Sequence, residues 1–225
     1  MPTQKSPIAF QGRKTSRSSS EQRRLAILQA ALRIVVRDGV RGVRHRAVAT
    51  EADVPLSATT YYFKDIHDLL ADAFTLYAKE TMETFVDPFW SRANERLSAF
   101  PAERWQSPEV MQEILDAIAD LGTDYIFTRV TVHRDQLVME YAFWYAALTD
   151  GRMHQMALQH GRRLLGNFMQ VLEQVGANET ELGAKSILGT VRRLEYEGML
   201  TPPDMFTRET VKKALLHQIR AVLAV

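Results

Sequence analysis

The chain has 225 residues, with 28 Lys and Arg against 27 Asp and Glu, and it contains no cysteine. The absence of cysteine excludes disulfides, thiol nucleophiles and cysteine-ligated metal centres. The longest unbroken apolar run, Tyr141 to Leu148, is too short to span a bilayer, and the first residues contain no apolar signal segment. We therefore expect a cytoplasmic protein with no membrane partner.

The near-neutral total conceals an uneven distribution of charge. Residues 1–70 contain twelve Lys and Arg against six Asp and Glu, whereas residues 71–225 contain sixteen against twenty-one. A basic N-terminal third is typical of a protein with an anionic partner, either nucleic acid or a membrane surface. A solvated basic surface has the same composition, so charge alone leaves the partner open.

The first 17 residues have no hydrophobic periodicity and are rich in Pro, Gly, Ser and basic side chains. This composition predicts a disordered basic arm. Arg13, Lys14 and Arg17 fit an arm that lies along DNA phosphates or in the minor groove. A terminus without a partner would have the same composition, and both interpretations stand.

Three helices are predicted next. The capping-box pattern that begins at Ser18 is followed by leucines at helical spacing, which predicts a helix that ends at Gly39. A second helix fits residues 45–52 and a third, very short one fits residues 56–63, with Asp53-Val54-Pro55 between them.

The rest of the chain also has the pattern of helices. Asp65 is the predicted N-cap of a long amphipathic helix that we expect to end before Pro88. Glycines and prolines then separate segments without an alternating strand pattern, namely 108–129, 132–149, 152–175, 180–198 and 207–223. The sequence therefore predicts an all-α chain, with the arm at 1–17, a first domain at 18–66 and a larger domain at 67–225.

The two short helices and their tight turn predict a helix-turn-helix unit, which coincides with the basic part of the chain. Its last helix contains the run Thr59-Thr60-Tyr61-Tyr62, and hydroxyl groups can bond to phosphate oxygens or base edges in the major groove. Aromatic residues at helical spacing are more often core, but Tyr61, Tyr62 and Phe63 are consecutive and cannot all face inward.

The stretch GVRGVRHRAVATEADVPLSATTYYFKDIHDLL, residues 39–70, resembles the DNA-binding half of the tetracycline-repressor (TetR) family. Gly39 matches the glycine that closes the first helix of that family, and Val48-Ala49 matches its apolar core pair. Tyr62-Phe63 matches its aromatic pair, and Leu69 the leucine of the following helix. The spacing holds without gaps across the whole stretch.

This chain departs from the family pattern at several positions. Arg44 stands where a Ser or Thr usually caps the second helix, and it could reach a phosphate instead. Pro55 replaces a serine before the third helix, a position that tolerates proline. Ser57 and Thr60 replace the usual glycine and tyrosine, and Ile66 replaces a lysine that contacts the DNA backbone in the family.

The resemblance implies a ligand-responsive, DNA-binding transcriptional regulator, a repressor that a small molecule releases from double-stranded operator DNA. By position, the residues expected to contact the DNA backbone are Arg44, His45, Arg46, Tyr62 and Lys64. Those expected to contact bases are Ser57, Thr59, Thr60 and Tyr61.

The larger predicted domain contains most of the aromatic residues and methionines, a set that usually forms a bundle core. A ligand cavity between helices is the alternative, which the resemblance favours. Glu140 would lie beside aromatic rings on one helix, although a lone carboxylate is more often exposed or salt-bridged. The candidate pocket residues are Trp105, Met111, Tyr125, Met139, Glu140, Phe143, Trp144 and Phe168.

The resemblance also implies a homodimer, in which the last two helices pair with their twofold mates. Two half-sites about 34 to 36 Å apart require two recognition helices, which fits a dimer. Alternatively, these helices cover the core of their own chain. The candidate interface residues are Ile187, Val191, Leu194, Val211, Leu215 and Ile219.

Motifs for catalysis were not found. The chain has no glycine-rich phosphate loop, no G-x-S-x-G elbow and no H-E-x-x-H, and its six histidines include no pair four residues apart. We therefore expect no enzyme activity, no catalytic or metal-ligating residues and no cofactor. The alternatives are a helical enzyme with unrecognised chemistry, or an interaction protein that has kept the fold and lost sequence-specific DNA binding.

Overall fold

The computed structural model describes residues 18–100, 105 and 107–223. All regular structure within these residues is helical, which confirms the predicted all-α class. The predicted arm at 1–17 lies outside the described residues. The elements are α1 (Ser18–Asp38), a 3₁₀ turn (Val40–Gly42), α2 (His45–Glu51), α3 (Leu56–Tyr62), α4 (Ile66–Thr81), a π-helical turn (Met82–Val86), α5 (Asp87–Ser98), α6 (Pro108–Thr131), α7 (Arg134–Ala147), α8 (Gly151–Gln174), α9 (Thr180–Leu200) and α10 (Arg208–Leu223).

The helices form two compact units that are not contiguous in sequence. The first unit contains the described residues up to Thr81 together with Val138–His160, and the second contains Met82–Leu137 and the residues from Gly161 onward. This division differs from the predicted boundary after residue 66, because α4 and parts of α7 and α8 group with the N-terminal helices. A boundary in sequence cannot represent a unit that is built from two segments.

The first unit has its core between α1, α3 and α4. Ile27 and Ile34 of α1 lie two turns apart and are fully buried, as are Leu69 of α4 and Phe63 at the end of α3. This spacing places one apolar stripe of α1 against the neighbouring helices. Full burial of a side chain as large as Phe63 contributes about 1.5–3 kcal/mol to folding.

The ends of α1 and α4 follow the predicted signals. Gly39 ends α1 with φ 72°, a conformation that favours glycine, and its amide donates to the carbonyl of Val35 at 3.0 Å. At the start of α4 the amide of Asp68 donates to Oδ1 of Asp65 at 2.9 Å, which is the predicted N-cap.

The segment after α4 differs from the expectation. Instead of a helix break before Pro88, a π-helical turn leads directly into α5, with Pro88 in the first turn of that helix. Proline lacks the amide that a helix start leaves unbonded, so it is compatible with this position. The prediction treated Pro88 as an end and therefore missed α5.

The second unit has its core between α6, α9 and α10. Ile126 of α6, Leu194 of α9 and Val211 of α10 are buried in one apolar cluster. The ring of Phe206, before α10, packs against the backbone of Gly198, where a Cβ atom would lie 2.6 Å from its Cζ atom. Glycine at 198 therefore permits this close contact. None of the helices across the described ranges has the length and apolar character of a membrane span.

Candidate functional site

The turn between α2 and α3 fixes the orientation of the short third helix. The amide of Val54 donates to the carbonyl of Ala49 at 3.0 Å, and Asp53 adopts a φ of 51° within the turn. Pro55 then starts α3 in an extended conformation. Arg44 is the N-cap of α2 and makes no side-chain capping bond, as its residue type predicts. The order and lengths of α2, the tight turn and α3 match those of a helix-turn-helix unit.

The exposed surface of α3 carries three of the four predicted base-contacting residues. Ser57 and Thr60 are exposed, and the hydroxyl of Thr60 donates to the carbonyl of Ser57 at 3.2 Å. Tyr61 is 54% exposed, although its ring also meets the ring of Tyr62 edge-on at 5.1 Å. Both donors and acceptors are therefore available on this surface.

Thr59, the fourth predicted base-contacting residue, is placed differently. Its side chain is fully buried, and its hydroxyl donates to the carbonyl of Leu56 at 2.8 Å. The same oxygen lies 3.1 Å from Nδ1 of the half-buried His45 at the start of α2. Thr59 and His45 thus join the two helices to each other. A buried hydroxyl cannot reach a base edge, so Thr59 is removed from the base-contacting set.

Tyr62 is also buried, with 5% of its surface exposed. Its hydroxyl oxygen lies 2.9 Å from the hydroxyl oxygen of Ser20, which links α3 to the first turn of α1. Of the run Tyr61, Tyr62 and Phe63, the first faces outward and the other two face the core. The phosphate contact expected of Tyr62 is therefore replaced by a contact within the unit.

The cations of the first unit have two kinds of surroundings. Arg33 and Arg37 of α1 both bond to the carboxylate of Glu51 at the end of α2, with atom separations of 2.8 and 3.1 Å. The hydrogen bond from Arg33 is the larger cause, and that from Arg37 the next, of a pKa of Glu51 below its ordinary value. The predicted phosphate contacts Arg44, Arg46 and Lys64 are instead exposed on or beside α2 and α3. They are therefore available to contact phosphates, as the sequence predicts.

The second unit contains an apolar cavity of about 70 Å³. Its described lining consists of fourteen side chains, all apolar or aromatic, from α5, α6, α8, α9 and α10 and from Val175 directly after α8. Two of them, Trp90 of α5 and Phe168 of α8, meet edge-to-face with 4.8 Å between the ring centres. Ala93, one turn after Trp90, also lines the cavity. A lining of this character is compatible with an apolar ligand and not with a charged one.

The predicted pocket residues of the second unit include one that lines this cavity, Phe168. Trp105 donates its indole N–H to the carbonyl of Phe100 at 2.9 Å, and Met111 packs against a buried apolar cluster. The hydroxyl of Tyr125 accepts a hydrogen bond from Nη1 of Arg129 at 3.0 Å. Sequence analysis missed Phe89 and Trp90 as lining residues because it did not predict α5.

The predicted pocket residues on α7 belong to the first unit. Phe143 is fully buried in its core, and Met139 packs against that core. Trp144 meets the ring of Tyr141 at 6.2 Å. Glu140 is buried, contrary to the expectation for a lone carboxylate, and Oε2 accepts a hydrogen bond from the hydroxyl of Tyr77 at 3.0 Å. These α7 residues therefore belong to the first unit, and none of them is among the lining residues of the cavity in the second unit.

The predicted interface residues are used within the second unit. Five of the six are buried in its core, and the sixth, Val191, packs half-buried against it. The five are Ile187, Leu194, Val211, Leu215 and Ile219. This corresponds to the alternative in which α9 and α10 cover their own chain. Leu182, Tyr196 and Leu200 are the large apolar side chains that α9 leaves exposed.

These features are those of an all-α protein with a predicted helix-turn-helix unit and a second, cavity-containing helical unit, and several solved structures that match its fold are described as transcriptional regulators. One from Rhodococcus sp. Rha1 matches with a TM-score of 0.65 and 20% identity, over 89% of this chain and 96% of its own. A putative TetR-family regulator from Mesorhizobium loti matches with a TM-score of 0.69 and 15% identity, over 92% and 98% of the two chains.

A third match is the multidrug binding protein EbrR complexed with imidazole, with a TM-score of 0.56 and 24% identity over 88% of this chain and 90% of its own. No protein-family model and no curated protein matches the chain. The chain therefore has the fold of TetR-family regulators, and the resemblance seen in residues 39–70 is confirmed for the fold.

Proposed function

We propose that the chain is a TetR-family transcriptional regulator that binds operator DNA as a homodimer and responds to a small molecule. The observation that carries the proposal is the exposed surface of α3. Ser57, Thr60 and Tyr61 face solvent there, and the exposed cations Arg44 and Lys64 lie on either side of them in the sequence. Hydroxyl groups on a short helix can contact base edges in the major groove, while cations beside them contact phosphates.

The packing of the first unit supports a rigid recognition helix. Phe63 fixes the end of α3 in the core, and Tyr62 joins it to Ser20. His45 and Thr59 join α2 to α3. A helix held at its middle and at its C-terminal end presents its outer side chains at a fixed angle, which reduces the cost of ordering them on DNA.

The dimer in this proposal uses the surfaces that α9 leaves exposed. Leu182, Gly189 and Tyr196 are seven residues apart, and Leu200 is five helical turns from Leu182, so all four lie along one stripe. Large apolar side chains exposed along one stripe indicate a surface that another protein chain covers, here the second copy of the dimer. Tyr196→Glu should convert a dimer to a monomer in sedimentation equilibrium, whereas Tyr145→Glu, at an exposed tyrosine of α7, should leave the dimer intact.

Ligand response in this proposal is a shift between two populations of the dimer. In one conformation the spacing of the two recognition helices fits the two half-sites, and in the other it does not. A small molecule that binds the second conformation more tightly than the first releases DNA, and the ratio of its two affinities limits how much DNA is released. The covalent route from cavity to DNA-binding unit is short, because α4 continues through the π-helical turn into α5. Phe89 and Trp90 of α5 line the cavity. The role as a repressor is part of the proposal and is carried over from the family that residues 39–70 resemble.

Selection of random DNA duplexes on the purified full chain at near-physiological salt tests the proposal. A palindrome with half-sites about 34 to 36 Å apart is the expected product. Tyr61→Ala should select a palindrome that is less defined at one position of each half-site, and Tyr145→Ala should select the same palindrome as the parent chain. Retention of no sequence above background would refute DNA-binding regulation and favour an interaction protein or an enzyme with this fold.

A further inference from the structure

The lining of the cavity in the second unit defines which chemical class of molecule can occupy it. We propose that it binds an uncharged apolar molecule of about one aromatic ring in size and rejects ionised analogues. The inference rests on the proposed function insofar as this molecule is the effector of the regulator. The binding itself is a property of α5, α6, α8, α9 and α10 and needs no DNA.

The absence of charge in the described lining carries the first part of the inference. None of its fourteen side chains is ionisable, and the indole N–H of Trp90 is the one polar side-chain group among them. A carboxylate or ammonium group that entered would lose its hydration and find no counter-charge among these residues. An apolar molecule loses no hydrogen bonds on entry, and it replaces void with van der Waals contacts. The lining therefore disfavours charged molecules whatever their shape.

The size of the cavity carries the second part. Its volume is about 70 Å³, and an apolar cavity of roughly 150 Å³ accommodates benzene. Trp90 and Phe168 meet edge-to-face at 4.8 Å and are each only half-buried. The cavity must therefore roughly double its volume to admit one ring, and Trp90 and Phe168 are among the half-buried lining side chains that we expect to move when it does.

Three molecules that share a ring and differ in charge test the inference on the full chain at pH 7. These are toluene, which is neutral, benzoate, which is an anion, and benzylammonium, which is a cation. Calorimetry gives the affinities. Fluorescence of a Trp105→Phe/Trp144→Phe variant, in which Trp90 is the remaining tryptophan, locates the site. Toluene should bind at least tenfold more tightly than either ion and should change the Trp90 emission.

A cavity-filling variant links this binding to the cavity. Ala93→Val adds two methyl groups at a position that is 1% exposed and lines the cavity. It should weaken toluene binding at least tenfold while the protein remains folded, with an unfolding temperature equal to or above that of the parent. Ala99→Val, at an exposed position after α5, is the matched control and should bind toluene like the parent chain.

The other outcomes of these binding experiments would each overturn or support the inference. Equal binding of benzoate or benzylammonium would overturn the charge rule, and no binding of any of the three molecules would overturn the site. Toluene binding that Ala93→Val leaves unchanged would also overturn it. The two proposals can also fail separately. If duplex selection fails but toluene binds and Ala93→Val abolishes that binding, the proposed function is refuted and this inference is supported.

Discussion

Arg24 of α1 and Asp72 of α4 form an ion pair inside the first unit, with 2.5 Å between Nη2 and Oδ2. Both side chains are almost completely buried, and the guanidinium also lies 5.7 Å from the centre of the Phe63 ring. The pair therefore connects α1 to α4 and lies against Phe63 at the end of α3. Its partners are 48 residues apart in the chain.

Asp72→Ala should destabilise the protein by about 3–5 kcal/mol, because it leaves the buried Arg24 without this carboxylate. Urea unfolding of the purified variant measures the change. The double variant Arg24→Met/Asp72→Leu should recover most of the lost stability, since replacement of a whole buried pair by apolar groups is often neutral. A cost below about 1 kcal/mol for Asp72→Ala would show that Glu21, whose Oε1 lies 3.3 Å from Nη1 of Arg24, or water compensates the guanidinium.

Tyr61→Ala should cost about 1–3 kcal/mol in operator binding and relax base preference at one position of each half-site. The folding free energy should change by less than about 0.5 kcal/mol, because the side chain is exposed. Competition binding against single-base variants of the operator measures the preference. Tyr62→Phe is the matched comparison, since it removes the hydroxyl that contacts Ser20 and should leave the base preference unchanged.

Lys64→Gln should weaken binding to all DNA sequences alike, since a contact to phosphate carries no sequence information. The slope of log affinity against log salt concentration should fall by about one for each lysine removed from a contact. Binding measured at four or more salt concentrations gives this slope. An unchanged slope would mean that Lys64 does not contact phosphate, and Arg46→Gln would then be the next variant to examine.

Asp65 makes the stability of α4 depend on pH. The hydrogen bond from the amide of Asp68 holds the pKa of this carboxyl below its ordinary value in the folded protein. Its contribution is therefore present above the pKa of the unfolded chain and is lost as pH falls through the lower, folded pKa. Thermal unfolding between pH 7 and pH 2 should show a larger loss for the parent chain than for Asp65→Asn, which caps without ionising. Parallel profiles for the two proteins would contradict this assignment.

Gly198→Ala should destabilise the second unit by about 1–3 kcal/mol, because the new Cβ would overlap the ring of Phe206. Gly166→Ala in α8 is the matched control, since open space surrounds that position, and it should stabilise its helix by up to about 1 kcal/mol. Chemical denaturation measures both changes. Gly198→Ala/Phe206→Leu should restore part of the loss, and no restoration would locate the strain elsewhere.

Local signals in the sequence predicted most helices well because they are properties of neighbouring residues. Gly39 ended α1 and Asp65 capped α4 as predicted. Pro88 was misinterpreted because proline is compatible with a helix start as well as with a helix end. The side-chain pattern after Pro88, with Trp90, Ala93 and Leu97 at helical spacing, contained the signal for α5.

The candidate site was less predictable because it depends on which face of a helix is covered. Thr59 and Thr60 are adjacent and of one residue type, yet one is buried and the other exposed. Likewise, the apolar stripe of Ile187 and Leu194 has the same periodicity whether it meets its own chain or a second copy. Only the packing of α6 against α9 and α10 shows that it meets its own chain.

The burial of Thr59 and Tyr62 limits how much information one copy of the protein can extract from DNA. The outer surface of α3 retains three side chains, Ser57, Thr60 and Tyr61, that can distinguish bases. If each distinguishes one base pair among four, the six side chains of two copies select about one sequence in 4,000. A genome offers roughly 10⁶–10⁹ competing sites, so many of them would still match. The regulator in this proposal therefore needs further selectivity, and its sources include half-site spacing, the shape and flexibility of the DNA, and the predicted basic arm at 1–17.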